Sequence, residues 1–191
     1  MGCAVTTIYY LPGHGGRLDR GLGRALASRG HDVKGRETVG QFKALSFQAQ
    51  IDLVAEDLRH HCWHEDGRVV ANSYGAYLFL HAQAQLLPYI GRVLLLAPIV
   101  GEFSNEEALM GFVPPRSGKL ESLARSGTYP APLRCEMHVG ERDWQSNPQA
   151  VVTLAELLGL PVTGVPNAGH GLGSRYVGRL LDDWLEPTLP P

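Results

Sequence analysis

The sequence holds little that would tie the chain to a polyanion, a membrane or an oxidising compartment. Its 17 lysines and arginines nearly balance 19 aspartates and glutamates, for a formal charge of −2. No basic stripe or aromatic platform stands out, which argues against a nucleic-acid partner. No apolar run is long enough to span a bilayer, and no charged start followed by an apolar stretch marks a leader. Three cysteines, Cys3, Cys62 and Cys135, are an odd number without framework spacing, as expected of reduced thiols in a cytoplasmic protein. The first residues match an acylation pattern, Met1-Gly2-Cys3-Ala4-Val5-Thr6, but they lead straight into a strand-like run, which argues against lipidation. His60 and His64 stand one helical turn apart at an expected helix C-terminus, where cations suit the dipole. They lack a third ligand at a clear spacing, so neither a metal nor a cofactor is expected. The sequence shows no internal repeat and no low-complexity segment.

What is present is an alternation. The 191 residues, 44% of them hydrophobic, suffice for one domain with a substantial core. Strand-like runs at 6–11, 32–37, 68–72, 92–97, 133–140 and 161–165 alternate with helical periods, the pattern of a parallel sheet wrapped by helices. Leu18, Leu22, Ala25 and Leu26 share one helical face. Ser46 caps a helix whose stripe is Phe47, Ile51, Val54, Leu58 and Cys62. A helix over 75–87 is apolar nearly all round and is expected to be buried. Asn147 and Pro148 read as N-cap and first-turn proline of a helix ending at Gly159, and 174–185 is a final amphipathic helix. The segment 101–130 shows no clear strand but carries Phe103, Leu109, Met110, Phe112 and Val113. A loop this long within a domain is usually functional, and its apolar residues are expected to form a flap over a pocket.

Ala71-Asn72-Ser73-Tyr74-Gly75-Ala76 follows the apolar pair Val69-Val70 and opens the apolar helix. A strand turning abruptly into a helix brings the residues flanking its apex close together, so only Ala or Gly fits at 71, 75 and 76. Such a strained turn lifts the serine hydroxyl above the sheet and places it at a helix N-terminus. Serine is a weak nucleophile without a base and an orienting acid. His170, in Gly169-His170-Gly171 beyond the last strand, is the candidate base. Asp143, following the penultimate strand, is the candidate acid; Glu141 and Glu102 are rivals, and a surface pair with Arg142 is the bland alternative. Acyl transfer also needs two preorganised N–H donors. One is expected from Tyr74 and the other from the turn Pro12-Gly13-His14-Gly15-Gly16, at His14 or, one residue on, Gly15. The same turn hints at a dinucleotide site with Glu37 as ribose acceptor, but Leu18 stands where the third glycine belongs.

Together, Pro-Gly-His-Gly-Gly after the first strand, the Ser73 turn, Asp143 and Gly-His170-Gly resemble the α/β-hydrolase superfamily over nearly the whole chain. Compact members that omit the first two strands, such as minimal bacterial lipases and small serine esterases, are the most similar. The resemblance implies an α/β three-layer sandwich with a mainly parallel six-stranded sheet of order 2-1-3-4-5-6 in a single domain spanning 1–191, Ser73 following the third strand. Ala71 departs from the usual first glycine, and Asn72 stands where His is frequent. The expected activity is that of a serine hydrolase on a small-molecule carboxylic ester or thioester. Gly13, Gly15, Phe103, Met110, Phe112 and Trp144 are the expected substrate contacts. The alternatives are a catalytically vestigial partner-binding protein of the same fold and a lyase or carbon–carbon hydrolase using the same three side chains.

Overall fold

The apolar runs become strands and the periodic segments helices, in a computed structural model that describes residues 6–105, 107 and 109–186. Residues 1–5, with Cys3 and most of the acylation pattern, lie outside them. The strands are β1 (Thr7–Leu11), β2 (Asp32–Gly35), β3 (Arg68–Asn72), β4 (Arg92–Leu96), a short hairpin of β5 (Phe103–Asn105) and β6 (Met110–Phe112), β7 (Arg134–Gly140) and β8 (Val162–Val165). Six of them form one sheet in the order β2-β1-β3-β4-β7-β8. Every pairing in it is parallel. In chain order of the sheet strands, this is the expected 2-1-3-4-5-6 arrangement.

Alternation along the strands divides the core in two, because successive side chains point to opposite faces. Tyr9, Leu11, Val69, Ala71, Val93, Leu95, Met137 and Val139 pack beneath α3 (Phe47–His61), α4 (Tyr74–Gln83) and α6 (Pro148–Leu158). Ile8, Tyr10, Val70, Leu94 and Leu96 face α1 (Gly21–Ala27) and α7 (Ser174–Leu185), where Leu26, Leu181 and Trp184 close the layer. The helix α4 is buried on nearly every side, as its composition requires. Caps fall where the local chemistry puts them. The Ser46 hydroxyl accepts from the Ala49 N–H at 3.2 Å, and Asn147 Oδ1 accepts from the Ala150 N–H at 3.3 Å.

Four segments differ from the expectation, the first being α1, which begins at Gly21 and leaves Leu18 outside the helix. The helix expected to run to residue 87 stops at Gln83, whose side-chain amide donates to the carbonyls of Leu87 and Pro130 and so folds the chain back. A short helix, α2 (Gly40–Ala44), was not anticipated, because five residues are too few to carry a periodic signal. The segment 101–130 does contain strands: the β5–β6 hairpin, then α5 (Lys119–Arg125). Strands of three residues are too short for an alternation to register. Leu109, Met110 and Val113 of this segment are exposed.

Candidate active site

The turn between β3 and α4 carries backbone strain at the residue where chemistry was expected. Ser73 has φ +52° and ψ −121°, a region that side-chain-bearing residues seldom occupy unless their surroundings impose it. Those surroundings are hydrogen bonds. The Ser73 N–H donates to the Leu96 carbonyl at 3.0 Å, and its carbonyl accepts from Ala76, Tyr77 and Ile99. Ala71 and Ala76 are fully buried beside it. The constraint at Gly75 is stricter than the sequence suggested. A β-carbon there would stand 2.1 Å from the Leu11 carbonyl oxygen and 2.6 Å from that of Pro12. Only glycine lets α4 start this close to the end of β1.

Three side chains from distant parts of the chain meet at this turn. His170 Nε2 lies 2.8 Å from Ser73 Oγ. Its Nδ1 lies 3.0 and 2.9 Å from the two carboxylate oxygens of Asp143. The Asp143 side chain is fully buried and accepts from the backbone N–H groups of Gln145 and Ser146 at 3.0 and 3.1 Å. Burial pushes this carboxyl group up. The hydrogen bond to His170, the Ser146 N–H and the nearby imidazole pull it down and prevail, so it stays ionised below the usual carboxylate range. The loop bearing His170 can lie against the loop bearing Asp143 because residue 140 is glycine. A β-carbon at Gly140 would be 2.4 Å from the Ala168 carbonyl oxygen. Of the rivals, Glu141 accepts from the Asn167 N–H and Glu102 is exposed, while Arg142 donates to the Asn167 side chain rather than to Asp143.

The glycine-rich turn after β1 closes over the serine. A β-carbon on Gly13 would lie 3.1 Å from Ser73 Cβ and 3.5 Å from its Oγ. The turn is held by its own bond from the Gly16 N–H to the Gly13 carbonyl, 2.9 Å long, and by Thr38. The buried Thr38 hydroxyl donates to the Gly13 carbonyl and accepts from the Gly16 N–H. Thr38 is in turn anchored by its neighbourhood. Two residues before it, Arg36 makes a bidentate pair with Asp57 of α3, at 2.6 and 2.7 Å, and Asp57 also accepts from Tyr9. Tyr74 opens α4, so its N–H is one of those without an intrahelical acceptor. The His14 ring stands edge-on to the Tyr74 ring, 5.7 Å between centroids. Glu37, the ribose acceptor of the dinucleotide reading, instead accepts from the Leu18 N–H and pairs with Arg17.

Phe103, Phe112 and Trp144 come together, with centroids 5.5 and 5.7 Å from Phe103. They border a groove of about 640 Å³. Met110 does not line it and is 56% exposed. Gly15 sits in the turn with φ +74°. Sequence reasoning missed three contributors. The first is Thr38. The second is Ser146, whose buried hydroxyl donates to the Ala97 carbonyl at 2.8 Å and lies 3.3 Å from His170 Nδ1. The third is Tyr10, which donates to Asn72 Oδ1 at 2.9 Å. Only Ser146 left a local signal, and only for its position: it stands three residues after Asp143, where an Asx turn brings its N–H to the carboxylate. Among the described residues no group of three or more His, Cys, Asp or Glu is placed to hold a metal ion. No helix among them is long and apolar enough to cross a membrane.

Sheet order, the strained serine turn and the placement of the loops define the α/β-hydrolase fold, and the solved structures agree. Alpha/beta hydrolase domain-containing protein 10 from mouse superposes with a TM-score of 0.68 at 15% identity, over 94% of this chain and 89% of the mouse chain. The monoacylglycerol lipase of Paleococcus ferrophilus gives 0.63 at 14% identity, over 94% and 93% of the two chains. The ydeN gene product of B. subtilis gives 0.64 at 12% identity, over 94% and 98%. No protein-family model matches the chain, and no curated protein matches it in sequence.

Proposed function

We propose that the chain is a serine hydrolase that cleaves a carboxylic ester or thioester. The observation that carries this reading is the continuous line from Ser73 Oγ through His170 to the buried Asp143, with links of 2.8 and 2.9 Å, set on a strained turn. In this reading Ser73 Oγ attacks the acyl carbon while its proton passes to His170 Nε2. Asp143 holds the ring through Nδ1 and stabilises the imidazolium that forms. The N–H groups of Tyr74 and His14 receive the oxyanion, the first from the start of α4 and the second from the turn that Thr38 braces at Gly13 and Gly16. His170 then protonates the leaving group, and a water activated by the same ring releases the acid. No step calls for a metal or cofactor. That two of the similar solved structures are a carboxylesterase and a monoacylglycerol lipase supports the reaction class.

The test is chemical. Purified protein is expected to react with a fluorophosphonate probe and to turn over p-nitrophenyl acetate or butyrate. Ser73→Ala is expected to lose the label and on the order of 10⁵-fold or more of kcat. Turnover that survives in the pure mutant would overturn the assignment. A wild-type protein that neither labels nor hydrolyses would instead fit a partner-binding role.

A further inference from the structure

An apolar cleft bordered by His170 draws none of its wall from the 101–130 segment. This cleft, of about 570 Å³, opens between α1 and α7 and runs to the carboxyl ends of β3 and β4. Leu22 and Ala25 form one side, Val177 and Leu181 the other, and Asn72 and His170 stand at the end toward the serine. Its size falls within the range of about 300–1,000 Å³ usual for small-molecule sites. Arg29 borders it but is already engaged. Its Nε donates to Asp182 at 2.7 Å, and its two terminal nitrogens donate to the carbonyls of Ala25 and Gly178. What the cleft presents to a ligand is therefore chiefly hydrocarbon. Ser73 lines neither space, but the aromatic groove at Phe103 and Trp144 has neither Asn72 nor His170 in its wall.

The chemistry says which half of a substrate belongs there. When the tetrahedral intermediate collapses, the bond between acyl carbon and leaving oxygen or sulfur breaks. That atom takes the proton held on His170 Nε2, so it must lie within hydrogen-bond reach of the ring. The carbonyl oxygen faces the N–H groups of Tyr74 and His14, and neither residue lines the cleft. His170 does. Resting on the serine-hydrolase reading, we propose that the α1–α7 cleft seats the apolar tail of the leaving alcohol or thiol. The substrates are then esters or thioesters carrying a hydrocarbon chain on the leaving side.

Two ester series test this on the wild-type protein: acetates of ethanol through octanol, and ethyl esters of acetic through octanoic acid. In the alcohol series kcat/KM is expected to rise by up to about fourfold per methylene until the cleft is full, from the transfer free energy of a buried CH₂. The acyl series is expected to rise much less. Gly178→Leu should flatten the alcohol slope. Gly178 faces the cleft, and a β-carbon there meets only Arg29, at 3.9 Å. In mid-helix, leucine is also a better helix former than glycine. A rise confined to the acyl series overturns the proposal, as does a slope that Phe112→Ala removes and Gly178→Leu leaves intact. Failure of the underlying reading is distinguishable. Protein that takes up no fluorophosphonate label refutes both, whereas labelled protein with a flat alcohol slope refutes the cleft alone.

Discussion

Replacing Gly75 with alanine sets two effects of opposite sign against each other. Gly75 lies in the first turn of α4, and alanine is the better helix former by about 1 kcal/mol. Against this, the new β-carbon would stand 2.1 Å from the Leu11 oxygen, 2.5 Å from the Leu11 carbonyl carbon and 2.6 Å from the Pro12 oxygen. Ordinary contact begins at about 3.4 Å, so α4 and the end of β1 must separate by roughly 1 Å. Neither partner yields cheaply. Leu11 is registered against Ala71 in the sheet, and Pro12 begins the turn that Thr38 clamps. Overpacking a well-ordered interior costs about 1–3 kcal/mol, and a clash with main chain on both sides belongs at the upper end. The net expectation is a loss of about 2 kcal/mol, or roughly 4–8 °C in Tm for a chain of this size. Activity should suffer more. The same displacement moves Tyr74 away from the His14 turn, and misplacement by about 1 Å can lower kcat on the order of 100-fold. Urea denaturation and the rate of fluorophosphonate labelling measure the two effects separately. A Gly75→Ala protein as stable and as reactive as wild type would refute the claim that this contact sets the site.

Two further outcomes follow from buried groups. Ser146→Ala removes the donor to the buried Ala97 carbonyl and one neighbour of His170 Nδ1. It should cost about 1–2 kcal/mol of stability and lower kcat by up to about tenfold with KM little changed; Ser146→Thr should recover part of both, and an unaltered kcat would place Ser146 outside the machinery. His81 lies in α4 with its ring against Tyr77 and Phe47. Burial first, and then Arg116 and Lys119, push its pKa down to about 4. The unfolded chain protonates this imidazole near 6.5, so between these values it binds more protons than the folded protein. Stability therefore falls as pH drops from about 6.5 to 4, by at most about 3 kcal/mol from this group. Urea titrations at pH 7 and pH 4 should show that loss in wild type and its absence in His81→Leu.

Much of this architecture was legible because its signals are local. Val69-Val70 and Val93-Leu94-Leu95-Leu96 read as buried strands, and Ser46, Asn147-Pro148 and Gly159 mark helix ends through bonds to their own neighbours. The short elements of 101–130 were not legible, because three-residue strands and a seven-residue helix offer too few positions for a period to emerge. Thr38 could not be found for a different reason. Nothing near it in sequence says that it will reach Gly13 and Gly16, which requires β2 to lie beside β1.

The sequence by itself determined the alternation of elements and the order in which Ser73, Asp143 and His170 emerge after particular strands. Both depend on side-chain periodicity and on turn chemistry within a few residues. Only the tertiary structure decided that 97 positions of separation close to 2.8 Å between Ser73 and His170. It also decided that Gly75 and Gly140 permit those approaches, and that the apolar cleft beside His170 lies between α1 and α7. These are properties of how separate elements pack, set by volumes and contacts across the sheet, and no local stretch of sequence records them.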